Sequence, residues 1–311
     1  MTDALVEHAA HTIQVGSRSF AAAARLFDPA TRRSAIMLYA WCRYCDDVVD
    51  GQELGFGQTG GSAEGSEQRL AELVELTRRA YAGEPMSNPA FAALQEVAQR
   101  HALPERYAQE HLQGFAMDVH GREYITIDDT LEYCYHVAGV VGLMMAVIMG
   151  AKGEATLDRA CDLGLAFQLT NIARDIVEDA RNDRCYLPAQ WLSEEGVPRK
   201  ELALPEHRPA VARLAARLVD LAEPYYASAN QGLPALPLRS AWAIATARGV
   251  YREIGIKVKA RGAAAWDQRV STSKGDKLRL VTAGAVQALA SRRFQIRPRG
   301  ALWTRPRQPP C

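Results

Sequence analysis

Asp46, Asp47 and Asp50 sit within LYAWCRYCDDVVDG, residues 38–51, where the neighbours are mostly apolar and helix-forming. Carboxylates packed that closely in an apolar setting repel one another with little solvent to screen them. On a helix over 34–50, Tyr39, Arg43, Asp46 and Asp50 step by four, three and four residues and form one stripe. Leu38, Cys42, Cys45 and Val49 flank that stripe as packing residues, and the spacing points Asp47 elsewhere. LGLAFQLTNIARDIVEDA, residues 163–180, repeats the design. There Gln168, Asn171, Asp175 and Asp179 take the same steps, with Leu165, Leu169, Ile172 and Ile176 beside them and Glu178 at the flank.

A single Asp-x-x-x-Asp on a surface helix usually just faces water. Two such stripes with apolar walls call for a compensating charge, because desolvated, unpaired carboxylates are too costly to leave alone. Zinc prefers His and Cys, and neither stripe contains them. A di-iron bundle wants Glu-x-x-His, and no histidine here has Glu three residues before it. Oxygen ligation from Asp and Asn suits Mg²⁺, with Mn²⁺ as its substitute, and such an ion bridges a few carboxylates to substrate phosphates. Arg43 and Arg174 lie in the same motifs and can hold phosphate oxygens directly. The expected site is a metal-dependent diphosphate clamp between two helices, with apolar walls for a hydrocarbon.

The elements that must position these residues are helical. The chain is rich in Ala, Leu, Arg and Glu, and alternating β-branched runs are scarce. A 3.6-residue periodicity predicts helices near 3–26, 31–50, 67–82, 88–101, 104–120, 128–150, 155–181, 207–230, 238–261 and 275–292. Asp28-Pro29, Asn88-Pro89, Leu103-Pro104 and Leu187-Pro188 punctuate the breaks. No repeat period is visible. These signals predict one all-α domain over 1–290 and a basic tail over 291–311. The Gly-rich segment 51–68 follows Asp50 directly and reads as a flap over the site. Its GFGQTG lacks the preceding strand that a dinucleotide fingerprint requires, so neither NADPH nor ATP is expected.

Composition excludes several classes. With 48% apolar and 23% charged residues the chain is of soluble globular type, and a net charge of +1 argues against a nucleic-acid partner. The N-terminus does not read as a signal peptide. The longest apolar run, residues 137–151, is shorter than a bilayer span and reads as a buried helix. Six cysteines without a framework pattern fit the reducing cytoplasm. Cys42-x-x-Cys45 lacks a βαβ context or second pair, and His8-x-x-His11 lacks a third ligand, so both read as non-functional. From Ser291 to Cys311 there are six arginines and no acid. That tail reads equally as an unstructured segment or as a peripheral contact for anionic headgroups of the inner membrane.

At the two carboxylate stripes the sequence resembles the squalene/phytoene synthase family, and within it the bacterial, carotenoid-forming branch. DDVVD (46–50) and NIARDIVED (171–179) resemble its two aspartate-rich motifs. SRSF (17–20), YAWCRYCDD (39–47), YCYHVAGVVG (133–142), DRCYLP (183–188) and ARGVYREIG (247–255) extend the likeness through most of the chain in fixed order. The resemblance implies an isoprenoid-synthase-type helical bundle around a central cavity. It implies an Mg²⁺-dependent, head-to-head condensation of two geranylgeranyl diphosphates, through prephytoene diphosphate, to the hydrocarbon phytoene. By the same resemblance Asp46 and Asp50 form the first metal motif, and Asn171, Asp175 and Asp179 the second. Arg43, Arg174, Tyr251 and Arg269 become diphosphate contacts, with Lys274 a weaker one. Ser19, Tyr39, Tyr133 and Gln168 are placed near the reacting centre. Val137, Ala138, Val141, Gly142 and Met145 would line the hydrocarbon pocket or, equally, pack an ordinary core.

Alternatives stay open at this point. The same chemistry on two farnesyl diphosphates gives a dehydrosqualene or squalene-type product. A chain-elongating prenyltransferase usually carries Asp-Asp-x-x-Asp as its second motif, unlike Asn171, Asp175 and Asp179 here. A non-catalytic relative could keep the fold, but would not need all five motif ligands. Squalene synthases commonly have an apolar C-terminal anchor and use NADPH, and the sequence shows a sign of neither.

Overall fold

Asp28 starts the first carboxylate helix. Its side chain accepts hydrogen bonds from the backbone N–H of Ala30 (3.1 Å) and Thr31 (3.0 Å), and Pro29 fills the first helical position. The helix ends at Gly51, whose φ of 62° suits a residue without Cβ. This is a computed structural model, and it describes residues 5, 7, 9–13, 18–51, 63–293 and 295–307.

In chain order the helices are α1 (Arg18–Ala24), α2 (Pro29–Asp50), α3 (Ala63–Tyr81), α4 (Pro89–His101), α5 (Glu105–Val119), α6 (Ile127–Cys134), α7 (Val140–Ile148), α8 (Glu154–Arg181), α9 (Ala189–Glu195), α10 (Arg208–Asn230), α11 (Leu238–Arg261) and α12 (Lys274–Ser291). Among the described residues there is no strand. The all-α expectation holds, and most predicted boundaries fall within two residues of the observed ones. Two details differ. Helix α3 begins at Ala63, so residues 63–68 are helical rather than loop. Helix α9 was too short for the periodicity to register. The rest of the flap expectation, residues 52–62, lies outside the described residues.

Helix α8 is the axis of the molecule, packing against α7, α10 and α11. Its Leu165, Leu169, Ile172 and Ile176 are all buried, as the apolar stripe requires. Helices α6 and α7 join through a π-turn, Tyr135–Gly139, into one continuous rod. That rod runs Ile127–Ile148, 22 residues, long and apolar enough to cross a bilayer, yet 61% of its most apolar window is buried inside the protein. It is an interior wall, as the shorter apolar run suggested.

The rod meets α8 at backbone contact distance. A Cβ on Gly142 would stand 2.3 Å from the carbonyl oxygen of Ala160, and one on Gly164 would stand 2.3 Å from that of Ala138. The two glycines are therefore a packing requirement of this crossing, which brings Val137, Ala138 and Val141 up to the polar stripe of α8.

Candidate active site

Both carboxylate helices face one cavity of about 440 Å³. Tyr39, Arg43 and Asp46 reach it from α2, and Gln168 and Asn171 from α8. The cavity continues along α8 as far as Thr156 and Arg159. Twelve residues of helix separate Arg159 from Asn171, a rise of about 18 Å, so the site is long and has two ends. Its polar end carries Arg43, Asp46, Asp118, Asn171 and Arg184. Val137, Ala138, Val141, Gly142 and Met145 line its length, and Gly232, Leu233 and Leu236 its far end. The π-turn adds a residue to the rod and so keeps Tyr133, Val137, Ala138, Val141 and Met145 on the same wall.

At the polar end the charges are already engaged. Arg43 reaches Asp46 with Nη1 at 3.0 Å and Asp47 with Nη2 at 2.6 Å. Asp47 therefore does not point away from the stripe's chemistry: it is buried, and it shares the guanidinium of Arg43. Arg174 grips Asp175 through Nε (2.9 Å) and Nη2 (2.5 Å). Arg269, on the rim, donates to Asp175 Oδ2 (3.2 Å) and to Glu178 Oε2 (2.7 Å). Asn171 donates to Gln168 Oε1 at 3.3 Å. Asp175 and Asp179 continue the stripe beyond the cavity wall, one and two turns past Asn171.

Asp179 stands apart electrostatically. Burial, with the negative charge of Asp175 close by, pushes its carboxyl up to about 7, despite the opposing pull of Arg184. Negative charge at this end exceeds what the arginines neutralise. Among the described residues no three His, Cys, Asp or Glu side chains already converge as a metal site. The donors available from Asp46, Asn171, Asp175 and Asp179 are all oxygen, and Asp179 is a largely buried acid with a second carboxylate close by. That combination fits a hard divalent cation.

Tyr133 anchors the side of the polar end. It is buried, donates to Asp118 Oδ2 (3.1 Å), and stacks on Tyr186 at 4.5 Å and 17°. Tyr186 donates to the other oxygen, Asp118 Oδ1, also at 3.1 Å. Tyr251 stacks on Phe167 at 4.1 Å and lines the cavity.

Known proteins resemble this chain in sequence and in fold. A family model described as squalene/phytoene synthase matches residues 13–276. The chain belongs to the squalene/phytoene synthase family. It is 61% identical over 303 residues to the 15-cis-phytoene synthase of Pantoea ananas, covering 97% of this chain and 98% of that protein. It is 62% identical over 295 residues to the 15-cis-phytoene synthase of Enterobacter agglomerans, covering 94% and 100%. Among solved structures, a dehydrosqualene synthase with bound ligand superposes with a TM-score of 0.83 at 25% identity, over 93% of this chain and 98% of that one. A squalene synthase from Alicyclobacillus acidocaldarius gives a TM-score of 0.72 at 23% identity, over 84% and 95%, which speaks to the fold alone.

In this squalene/phytoene synthase the sequence-derived residues are largely brought together. Tyr39, Arg43, Asp46, Tyr133, Val137, Ala138, Gln168, Asn171 and Tyr251 line one cavity, and Arg174 and Arg269 flank it through Asp175. The side chains of Ser19 and Asp50 lie outside the described residues. Lys274 is exposed at the start of α12 and does not line the cavity.

Asp118, Arg184 and His111 line the cavity without having been expected there. Arg184 lies in DRCYLP, one of the family-like blocks, which gave it a signal but no role. Asp118 is a lone acid near the end of α5, with no partner stripe to betray it. His111 is buried, bonds the carbonyl of His136 through Nδ1 (3.1 Å), and burial pulls its imidazolium down to about 4, so it is neutral.

Proposed function

We infer that this chain condenses two geranylgeranyl diphosphates head to head, giving phytoene and two diphosphates. The observation that carries the reading is the full-length likeness, at 61% and 62% identity, to two proteins named as 15-cis-phytoene synthases. The site agrees with it. A long, mostly apolar cavity suits prenyl chains, and the end that gathers Arg43, Asp46, Asp118, Asn171 and Arg184 suits a diphosphate.

Mg²⁺ fits the oxygen donors of Asp46, Asn171, Asp175 and Asp179, joined by Asp50 on the sequence motif, and when bound would neutralise the departing diphosphate. With Mg²⁺ holding the acids, the arginines now paired to them would be released. Arg43, Arg174 and Arg269 would then offer donors to phosphate oxygens, in the bidentate geometry guanidinium favours.

The first half-reaction breaks the C–O bond to one diphosphate. The allylic cation is attacked by the double bond of the second substrate, and loss of a proton closes the cyclopropane of prephytoene diphosphate. The second half-reaction expels the remaining diphosphate, rearranges the skeleton, and loses a second proton. The apolar walls from Val137 to Met149 keep water from the cations, and the rings of Tyr39 and Tyr133 offer π faces at the polar end. Released diphosphate is close and basic enough to take the final proton.

Purified protein should convert geranylgeranyl diphosphate to phytoene only with Mg²⁺ and without NADPH. A C30 product from farnesyl diphosphate, with no activity on the C20 substrate, would replace this reading with the dehydrosqualene one. Inactivity on both, by a folded helical protein, would favour the non-catalytic alternative.

A further inference from the structure

The outermost helix, α12, has two unlike faces. Leu280, Gly284, Ala288 and Ser291 pack inward, and Trp242 of α11 donates its indole N–H to the carbonyl of Val281 at 2.8 Å. The opposite face carries Leu278, Thr282, Val286 and Leu289, spaced by four, four and three residues. Leu278 is 70% exposed, Val286 64% and Leu289 60%, and Ile296 just beyond the helix is 66% exposed. The solvent face of a globular helix is normally polar, so a stripe of large apolar residues there marks a contact surface.

Charge says what kind of contact. Between Arg269 and Arg299 the chain has eight basic residues and one acid, Asp276. Asp276 is committed to Lys257 at 2.5 Å and to the capping box of α12, while Glu253 beside the helix is taken by Arg279 at 2.9 Å. Among the described residues Lys274, Lys277, Arg293 and Arg297 have no acidic partner. They stand at the two ends of the apolar stripe. The last part of the basic tail adds no free charge. Arg299 pairs with buried Asp162 at 2.6 Å, Arg305 with Asp158 (2.8 Å) and Glu154, and Arg307 with Asp158 (2.5 Å), so residues 299–307 are strapped onto α8.

We propose that the outer face of α12 docks on an anionic lipid bilayer. Apolar side chains enter the interface and unpaired cations meet headgroup charge, as in interfacial amphipathic helices. A second copy of the chain would present the same positive charge, which opposes self-association through this face. The surface also adjoins the far end of the cavity. Arg292, at the end of α12, donates to the carbonyls of Pro234 and Leu236, each at 2.8 Å. Leu233 and Leu236 of that turn line the cavity, and neighbouring Leu238 is 48% exposed. A docked α12 thus sets the hydrocarbon end of the cavity against lipid. That last consequence rests on the proposed activity; the docking does not.

The test is flotation of the substrate-free full chain with vesicles of phosphatidylcholine alone, and of phosphatidylcholine with 30% phosphatidylglycerol. Binding to the anionic vesicles, weakened by salt, is expected. Val286→Glu/Leu289→Glu and, separately, Lys274→Glu/Arg293→Glu should each reduce it about tenfold, with helical content unchanged by circular dichroism. Ile125→Glu, exposed elsewhere, should leave binding intact. Absence of vesicle binding by the unmodified chain, equal binding to neutral vesicles, or variants that bind like it would overturn the proposal. A change in oligomeric state by light scattering, with vesicle binding unaffected, would assign the face to a second copy instead. Vesicle binding is read without turnover, so failure to make phytoene would not disturb it.

Discussion

The phenol of Tyr133 donates to Asp118 Oδ2 at 3.1 Å, and so a residue of α6 is fixed by the last turn of α5 at the polar end of the cavity. Tyr186 donates to the second oxygen of the same carboxylate, which locks the stacked pair in place. Asp118→Ala leaves two buried hydroxyls without their acceptor and should lower stability by about 1–3 kcal/mol. Tyr133→Phe alone should lower it by roughly 1 kcal/mol. Because the residues touch, the double variant should destabilise by less than the sum of the two. Urea denaturation of the four proteins measures this, and strict additivity would mean that the hydrogen bond contributes nothing.

Asp175 lies between Arg174 and Arg269 and belongs to the second metal motif. Asp175→Asn keeps the side-chain shape but removes the charge both for arginines and for a cation. Turnover should fall by at least about 1,000-fold, the scale seen when one transition-state electrostatic group is removed. Circular dichroism should still report a folded helical protein, since the change lies on the partly exposed rim. Asp50→Asn should behave likewise. Near-full activity in both variants would remove the metal clamp from the mechanism.

The crossing of α7 and α8 makes a sharper stability prediction. Gly142→Ala and Gly164→Ala each drive a methyl group to 2.3 Å from a backbone carbonyl oxygen, which no rotamer change can relieve. Overpacking of this kind destabilises by about 3 kcal/mol or prevents folding. Gly150→Ala and Gly153→Ala form the comparison, because a Cβ there meets nothing within 4 Å. Gly150 has a φ of 87° and Gly153 does not, so Gly153→Ala should be the milder of the two. Thermal melts that rank Gly142→Ala with Gly153→Ala would contradict the close crossing.

Much of this was readable from spacing. Gln168, Asn171, Asp175 and Asp179 share a face because a helix repeats every 3.6 residues, and Leu165 and Leu169 are buried beside them for the same reason. The Arg43–Asp47 pair was missed, because the spacing sent Asp47 off the stripe, although an i,i+4 contact lets one arginine serve two acids. The Tyr133–Asp118 bond was not readable, because it closes across a turn between two helices and leaves no periodic trace. The π-turn at Tyr135–Gly139 hides from a period scan, since one extra residue shifts phase without breaking the helix. The strapped tail was hidden by distance: Arg299 and Asp162 are 137 residues apart in sequence.

Asp179 yields a pH dependence with a definite sign. Its folded-state value is pushed up to about 7 from 3.8, chiefly by burial, so the folded protein retains a proton that the unfolded chain gives up. The stability this proton confers is complete below about pH 4 and is lost as pH rises toward and through 7. In chelator, the melting temperature should therefore fall between pH 5.5 and 8, and Asp179→Asn should flatten that fall. A divalent cation supplies the missing positive charge, so Mg²⁺ should raise the melting temperature of the unmodified protein more at pH 8 than at pH 5.5. Removing the carboxylate should shrink the Mg²⁺ effect at pH 8. An Asp179→Asn protein with the same pH slope and the same Mg²⁺ response would show that this carboxylate neither carries the strained charge nor meets the metal.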